Sequence, residues 1–293
     1  MGGFFGIAGT QDCTAELFYG TDYHSHLGTK RGGLAVSGPA GMQRFIHDIT
    51  NAQFRSKFDS DLHKLQGTIG LGIISDYEDQ PLLIGSHLGT YAIVTVGRIN
   101  NIPELAARAF RMRATHFSEM SGGEINPTEL VATLINQEAT FEDGIAHAQQ
   151  QIDGSCSLLI MTPRCLYAAR DRYGRTPVVL GRKDGAYAVS MESSAFPNLD
   201  YEHVRDLGPG EVVRITPGGI EQLRPPGADL RICAFFWVYF GYPSSCYEGV
   251  NVETARYRCG AMLAERDDVA VDIVAGIPDS GVGHAIGYAN RAG

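Results

Sequence analysis

The sequence predicts an α+β protein of layered antiparallel sheets with helices outside, followed by the opening of an α/β unit. Three observations predict it. Apolar runs of strand length, punctuated by glycine, recur along residues 1–225: "FFGIAG", "GTIGLGIISDY", "TYAIVTVGRINN" and "SCSLLIMTP". Turn signals such as "KDG" and "PGG" separate successive apolar runs and predict hairpins. Near the end, "VDIVAGIPDSG" reads as a buried strand and loop running into a helix, a unit that needs cover on both faces.

Taken in order, "FFGIAG" is a buried strand and "AELFYGTDYHSHLG" a helix stopped by its glycine. "GGLAVSG" is a strand with a turn, and "MQRFIHDITNAQF" a polar helix. "GTIGLGIISDY", "PLLIGSHLG" and "TYAIVTVGRINN" are three strands. "IPELAARAFRMR" and "PTELVATLINQ" are helices, with Pro103 and Pro127 suited to a first turn. "SCSLLIMTP", "CLYAARD", "PVVLGRKDGAYAVSME" and "GEVVRITPGGIEQL" supply further strands. "RPPG" (224–227) reads as a linker, which divides the chain into domains 1–225 and 226–293. Beyond it come an aromatic strand, "AFFWVYFGY", a helix, "VNVETARYRCGAMLAER", and a helix start, "HAIGYANRAG". A lone strand–loop–helix cannot cover itself, so the 293 residues are expected to be a piece of a longer protein.

Composition narrows the function classes. The formal charge is -9 and the pI about 5.4, against the basic surface that non-specific nucleic-acid binding needs. No apolar run approaches the ~18 residues of a membrane span. The start has neither the basic flank nor the apolar length of a signal peptide, so a cytoplasmic protein is expected. Six cysteines without a CxxC pair read as free thiols. His24 and His26 are too poorly spaced for a metal pair, and His26 reads as a satisfied structural histidine. Asp76, Glu78 and Asp79 read as an exposed turn, and "RYRC" and "AERDD" as a solvated helix face.

Several separated segments resemble the amidophosphoribosyltransferase family, in the right order. They are "GIAG", "YHSHLGTKRGGLAV", "ARDRYGRTPVVLG", "SMESSAF" with "LGPGEVVRI", then "ICAFFWVYFGYPSSCYEGVNVETARYRCGAML" and "VDIVAGIPDSGVGHAIGYA". The resemblance implies a four-layer αββα N-terminal-nucleophile glutaminase domain and the beginning of an α/β phosphoribosyltransferase domain. It also implies a role in purine nucleotide biosynthesis, with phosphoribosyl pyrophosphate and ammonia as substrates and magnesium as the accompanying ion. A homo-oligomer is expected.

Glutaminase chemistry needs a thiolate to attack the amide, a free α-amino group as proton acceptor, and donors for the developing oxyanion. Laid on the family pattern, the nucleophilic cysteine falls on Gly2, which has no side chain. The oxyanion asparagine falls on Val96, while the neighbouring Gly97 is kept. The arginine that holds the substrate carboxylate falls on Ser75, and the aspartate that holds its amino group on Pro127. Scaffold positions such as Gly6, Gly33, Gln80, Asp171, Gly174 and Glu192 fit the pattern.

The sequence therefore implies a glutaminase fold without glutaminase activity, ammonia-dependent at most. A non-catalytic regulatory or scaffold homologue is the alternative. A third reading, in which processing makes Cys13 the terminal nucleophile, would discard "FFGIAG". Two further expectations follow from the resemblance. Asp279, Ser280 and Gly281 form a pyrophosphate-binding loop. Cys233 coincides with an iron–sulfur ligand of some family members, and otherwise is a lone thiol.

Overall fold

A computed structural model describes residues 2–111, 117–118, 120–121 and 123–293. The chain divides into two compact units, Met1–Met191 with Ala195–Ile232, and Glu192–Ser194 with Cys233–Gly293. None of the described helices is long and apolar enough to cross a membrane.

The first unit begins with β1 (Gly2–Gly9), α1 (Thr14–Asp22), β2 (Arg31–Gly38), β3 (Gly41–Asp48), α2 (Phe54–Leu62) and β4 (Ile69–Ser75). It continues through β5 (Leu82–Ser86), β6 (Gly89–Ile99), α3 (Ile102–Arg111) and a short hairpin, β7 (Met120–Ser121) with β8 (Glu124–Ile125). Then follow α4 (Pro127–Ile135), α5 (Phe141–Gln151), β9 (Gly154–Met161), β10 (Leu166–Ala169), β11 (Val179–Lys183) and β12 (Ala186–Ser190). Strands β13 (Glu202–Asp206), β14 (Val212–Thr216) and β15 (Gly219–Arg224) complete it. One sheet has the order β13-β11-β12-β1-β4-β2-β3 and the other β15-β14-β10-β9-β6-β5. Neighbours in both pair antiparallel.

Alternation along the strands sends one set of side chains between the sheets and the other outward. Phe4, Leu71, Val94, Val96 and Leu159 fill the space between the sheets. Leu17 and Phe18 of α1 and Phe54 and Phe58 of α2 cover the outer face of the first sheet against Phe5, Ile7 and Leu34. Leu130 and Leu134 of α4 and Ile145 of α5 cover the second against Tyr91, Ile93 and Leu158. This is the αββα sandwich, each layer held by burial of the apolar stripe it presents.

Four elements depart from the sequence expectation within or around this frame. "MQRFIHD" is not a helix but β3, because Gly41, at φ +84°, closes a tight turn that zips the segment along β2 from Gly38↔Gly41 to Arg31↔Asp48. The helix that follows starts only at Phe54. Helix α1 ends at Asp22, well before Gly28, where a turn carries the chain on. Helix α5 was unforeseen; Thr140 caps it by accepting from the Asp143 N–H at 3.1 Å. Residues 112–113, expected to end the helix now seen as α3, lie outside the described residues.

In the second unit a two-strand ladder, β16 (Cys246–Tyr247) and β17 (Val250–Asn251), precedes α6 (Val252–Ala264) and α7 (Gly281–Ala292). "AFFWVYFGY" forms a single wide helical turn, Phe236–Phe240, rather than a strand. Arg256, expected on a solvated face, is buried and holds that turn. Its guanidinium donates to the carbonyls of Trp237 (2.9 Å), Tyr239 (3.1 Å) and Gly241 (2.8 Å), groups that the end of a helix leaves without partners. "VDIVAG" is not a strand, and Ile273 and Ile277 are each 84% exposed. A strand requires a neighbour for its ladder, and among the described residues none pairs with this segment.

Arg170 is the largest fully buried side chain and donates to the carbonyls of Thr176 (2.8 Å), Gly174 (2.7 Å) and Leu207. Arg170→Met leaves three buried acceptors dry. It is expected to lower unfolding stability by about 3 kcal/mol or more, read as a fall in the urea midpoint with unchanged slope.

Candidate functional site

The two sheets meet at the end of the sandwich where β1 begins. Gly2 stands directly opposite Ser75 in the β1–β4 register. Gln80, just past β4, reaches the other sheet. Its amide donates to the Thr95 carbonyl (3.2 Å) and accepts from the Thr95 N–H (2.7 Å), completing the polar pairing of a side chain 1% exposed. The Thr95 hydroxyl in turn bonds that of Thr128 at 2.6 Å. Asn126 caps α4 by accepting from the Thr128 N–H at 2.9 Å, and its own amide reaches the Asp79 carbonyl at 3.4 Å. Pro127 lies between, at the first position of α4. The fold thus gathers Gly2, Ser75, Val96, Gly97 and Pro127 at one end of the sandwich.

What these positions offer chemically is meagre. A β-carbon on Gly2 would overlap the carbonyl oxygen of Ile74, so the backbone leaves no room for a side chain there. Ser75 is buried; its hydroxyl donates to Glu78 at 2.9 Å and accepts from the Tyr77 N–H at 3.3 Å. A carboxylate therefore sits where the family pattern places a cation. Val96 is part of the apolar filling between the sheets. Gly97 has φ +156°, and a β-carbon there would overlap the Ser155 carbonyl oxygen, so only glycine fits. Pro127 has no backbone donor.

Cys13 is not poised to act as a nucleophile. Burial, then the charges of Asp12 and Glu16, push its thiol up to about 12, far from the thiolate that attack requires. The buried histidine is His24 rather than His26. His24 Nδ1 donates to the Gly20 carbonyl at 2.9 Å, which leaves Nε2 to accept from Ser190 Oγ at 3.1 Å, whereas His26 is exposed. The acidic turn is fastened rather than free. Asp76 accepts from the Thr29 N–H at 2.9 Å and Asp79 pairs with Arg31 at 2.9 Å. The engagement of Ser75 by Glu78 was missed from sequence; its signal was a carboxylate three residues after a buried serine.

In the second unit Asp279, Ser280 and Gly281 lead into α7. The Gly281 N–H already bonds the Ile277 carbonyl (3.0 Å) and the Val282 N–H the Asp279 carbonyl (3.2 Å); Ser280 makes no capping bond. Cys233 is exposed. Among the described residues no group of three or more His, Cys, Asp or Glu side chains gathers at metal-binding distance. These residues therefore build neither an iron–sulfur site, which needs about four thiolates, nor a magnesium cage.

Comparison with known proteins agrees with this geometry. Residues 68–198 match the family described as "Glutamine amidotransferase domain". An amidophosphoribosyltransferase of Methanocaldococcus jannaschii is 29% identical across all of this chain and 67% of its own length. That of Bacillus subtilis is 29% identical over 99% of this chain and 62% of its own, and that of Synechococcus elongatus 30% over 97% and 59%. The solved glutamine phosphoribosylpyrophosphate amidotransferase of B. subtilis, complexed with ADP and GMP, superposes with a TM-score of 0.89 at 28% identity. It covers 99% of this chain and 64% of that one. The αββα sandwich is thus the N-terminal-nucleophile fold of a glutamine amidotransferase domain. Over nearly its whole length the chain is similar to these amidophosphoribosyltransferases, of whose own lengths it spans about three fifths to two thirds.

Thiol chemistry provides a check on the burial pattern. Burial holds the Cys13 thiol protonated at pH 8. Iodoacetamide at that pH is expected to label exposed Cys233 and Cys246 first, and buried Cys13, Cys156 and Cys165 last, as read by peptide mass spectrometry.

Proposed function

We propose that the first unit keeps the glutamine amidotransferase fold without hydrolysing glutamine. We further propose that the protein serves purine nucleotide biosynthesis as an ammonia-dependent amidophosphoribosyltransferase. The observation that carries this reading is the pairing of Gly2 with Ser75, with no space for a side chain at position 2. Without a nucleophile there is no acyl-enzyme, and the remaining positions supply nothing in its place. Val96 has no donor for an oxyanion, whose loss costs roughly 10²–10³ in rate by itself. Ser75, engaged by Glu78, cannot present the fork of donors that a carboxylate requires. The likeness to the relatives named above, which carry that activity in their names, supports the transferase part. Ammonia then comes from solution or from a partner, and adds to the sugar carbon as pyrophosphate leaves.

The test uses the protein as the cell makes it. Purified protein is incubated with phosphoribosyl pyrophosphate and either ammonium or glutamine. Pyrophosphate release with ammonium and none with glutamine is the expected result; release with glutamine would overturn the reading. Gly2→Cys provides a second measurement. Because the strands must part to admit its β-carbon, it is expected to cost about 1–3 kcal/mol of stability and to leave glutamate formation at background.

A further inference from the structure

The hydroxyl of Ser155 is buried and has no hydrogen-bond partner, in a residue only 9% exposed. Buried hydroxyls are ordinarily paired, because a dry and unpaired one is costly. Ser155 lies on β9 in alternation with Ser157, Leu159 and Met161, and the last two face the space between the sheets. Its side chain therefore faces the same space, at the end where Val96 and Ser75 stand.

Two cations flank it. Arg98 is the direct cross-strand partner of Ser155 on β6, on the same face as Val96 two residues earlier. It is exposed, and among the described residues nothing bonds or pairs with its guanidinium. Arg175 donates from Nη1 to the carbonyl of the adjacent Gly154 at 3.1 Å and packs over the Tyr173 ring at 5.1 Å, again with no carboxylate. Asp171, the carboxylate nearest Arg175 in sequence, is spent on the Tyr173 N–H and on the N–H and hydroxyl of Thr176. Elsewhere among the described residues eight arginines pair with a carboxylate, and others, such as Arg44, Arg170 and Arg256, spend their donors on carbonyls. Two guanidinium groups without a carboxylate partner, beside an unpaired hydroxyl, offer the charge and the donors that an oxyanion takes.

We propose that Arg98, Arg175 and Ser155 form a binding site for the oxyanion of a small molecule, a carboxylate or a phosphate monoester, at this end of the sandwich. Arg98 and Arg175 supply the charge and the forked donors, and the Ser155 hydroxyl supplies the inner hydrogen bond. The proposal rests on the reading that no glutamine chemistry occupies this end, which leaves the site open to recognition of another ligand.

The experiment is a calorimetric titration of the purified protein with inorganic phosphate and, separately, with glutarate, at ionic strength held constant with sodium chloride. Saturable one-to-one binding of at least one probe is expected; which one binds distinguishes phosphate from carboxylate. Arg98→Gln and Arg175→Gln are each expected to weaken that binding at least tenfold. Ser155→Ala is expected to weaken it several-fold while leaving the unliganded melting midpoint level or higher, since its hydroxyl has no partner to lose. Absence of saturable binding by either probe, or binding within twofold of the parent in the Arg98→Gln/Arg175→Gln double variant, would overturn the proposal. Glutamate formation from glutamine, measured on the same protein, reports separately on the reading beneath it.

Discussion

Strand β1 is paired along both edges, to β4 and to β12, and covered on both faces, by the second sheet on one side and by α1 on the other. Its side chains alternate between two dry layers, so a slip of one residue would exchange Phe4 and Ala8 for Phe5 and Ile7 in cores shaped for the others. The register is therefore fixed, and with it the placing of Gly2 opposite Ser75. Every other position at that end is placed relative to this pair. Gln80 carries the constraint into the second sheet through Thr95, and Thr95 carries it to α4 through Thr128.

Much of this was legible in the sequence because β1, β4, β6 and β9 are apolar runs bounded by turn residues, a pattern that few other structures satisfy. The places where reading failed share one cause, which is that pairing or its absence was decided by distant residues. "MQRFIHD" has no strong period of its own, and β2 turned it into a strand. "VDIVAG" has the composition of a strand and lacks a neighbour. Arg256 looked like one charge in a polar helix, and only the wide turn at Phe236–Phe240, unforeseen itself, makes it a buried donor. The candidate positions Gly2, Ser75, Val96 and Pro127 came from a family pattern. Ser155 and Arg98 were invisible to it, since a serine and an arginine in alternating strands say nothing until their cross-strand register is known.

Scaffold and chemistry separate cleanly in this fold. Asp171, bonded to the backbone of Tyr173 and to both donors of Thr176, fixes a turn, and Arg170 beside it ties three carbonyls together. Neither requires a reaction to justify it, since each is accounted for by the backbone groups it holds in place. The positions that the family pattern assigns to substrate carry no such scaffold role. Their residues here are small, apolar or turned toward one another, as Ser75 is toward Glu78.

The crowding at position 2 also bears on descent. A sulfur-bearing residue introduced there meets the Ile74 carbonyl before it meets any ligand. A lineage carrying this backbone would first have to accept a weaker protein. The order of events is thereby set: β1 and β4 must part before any larger residue can settle at position 2.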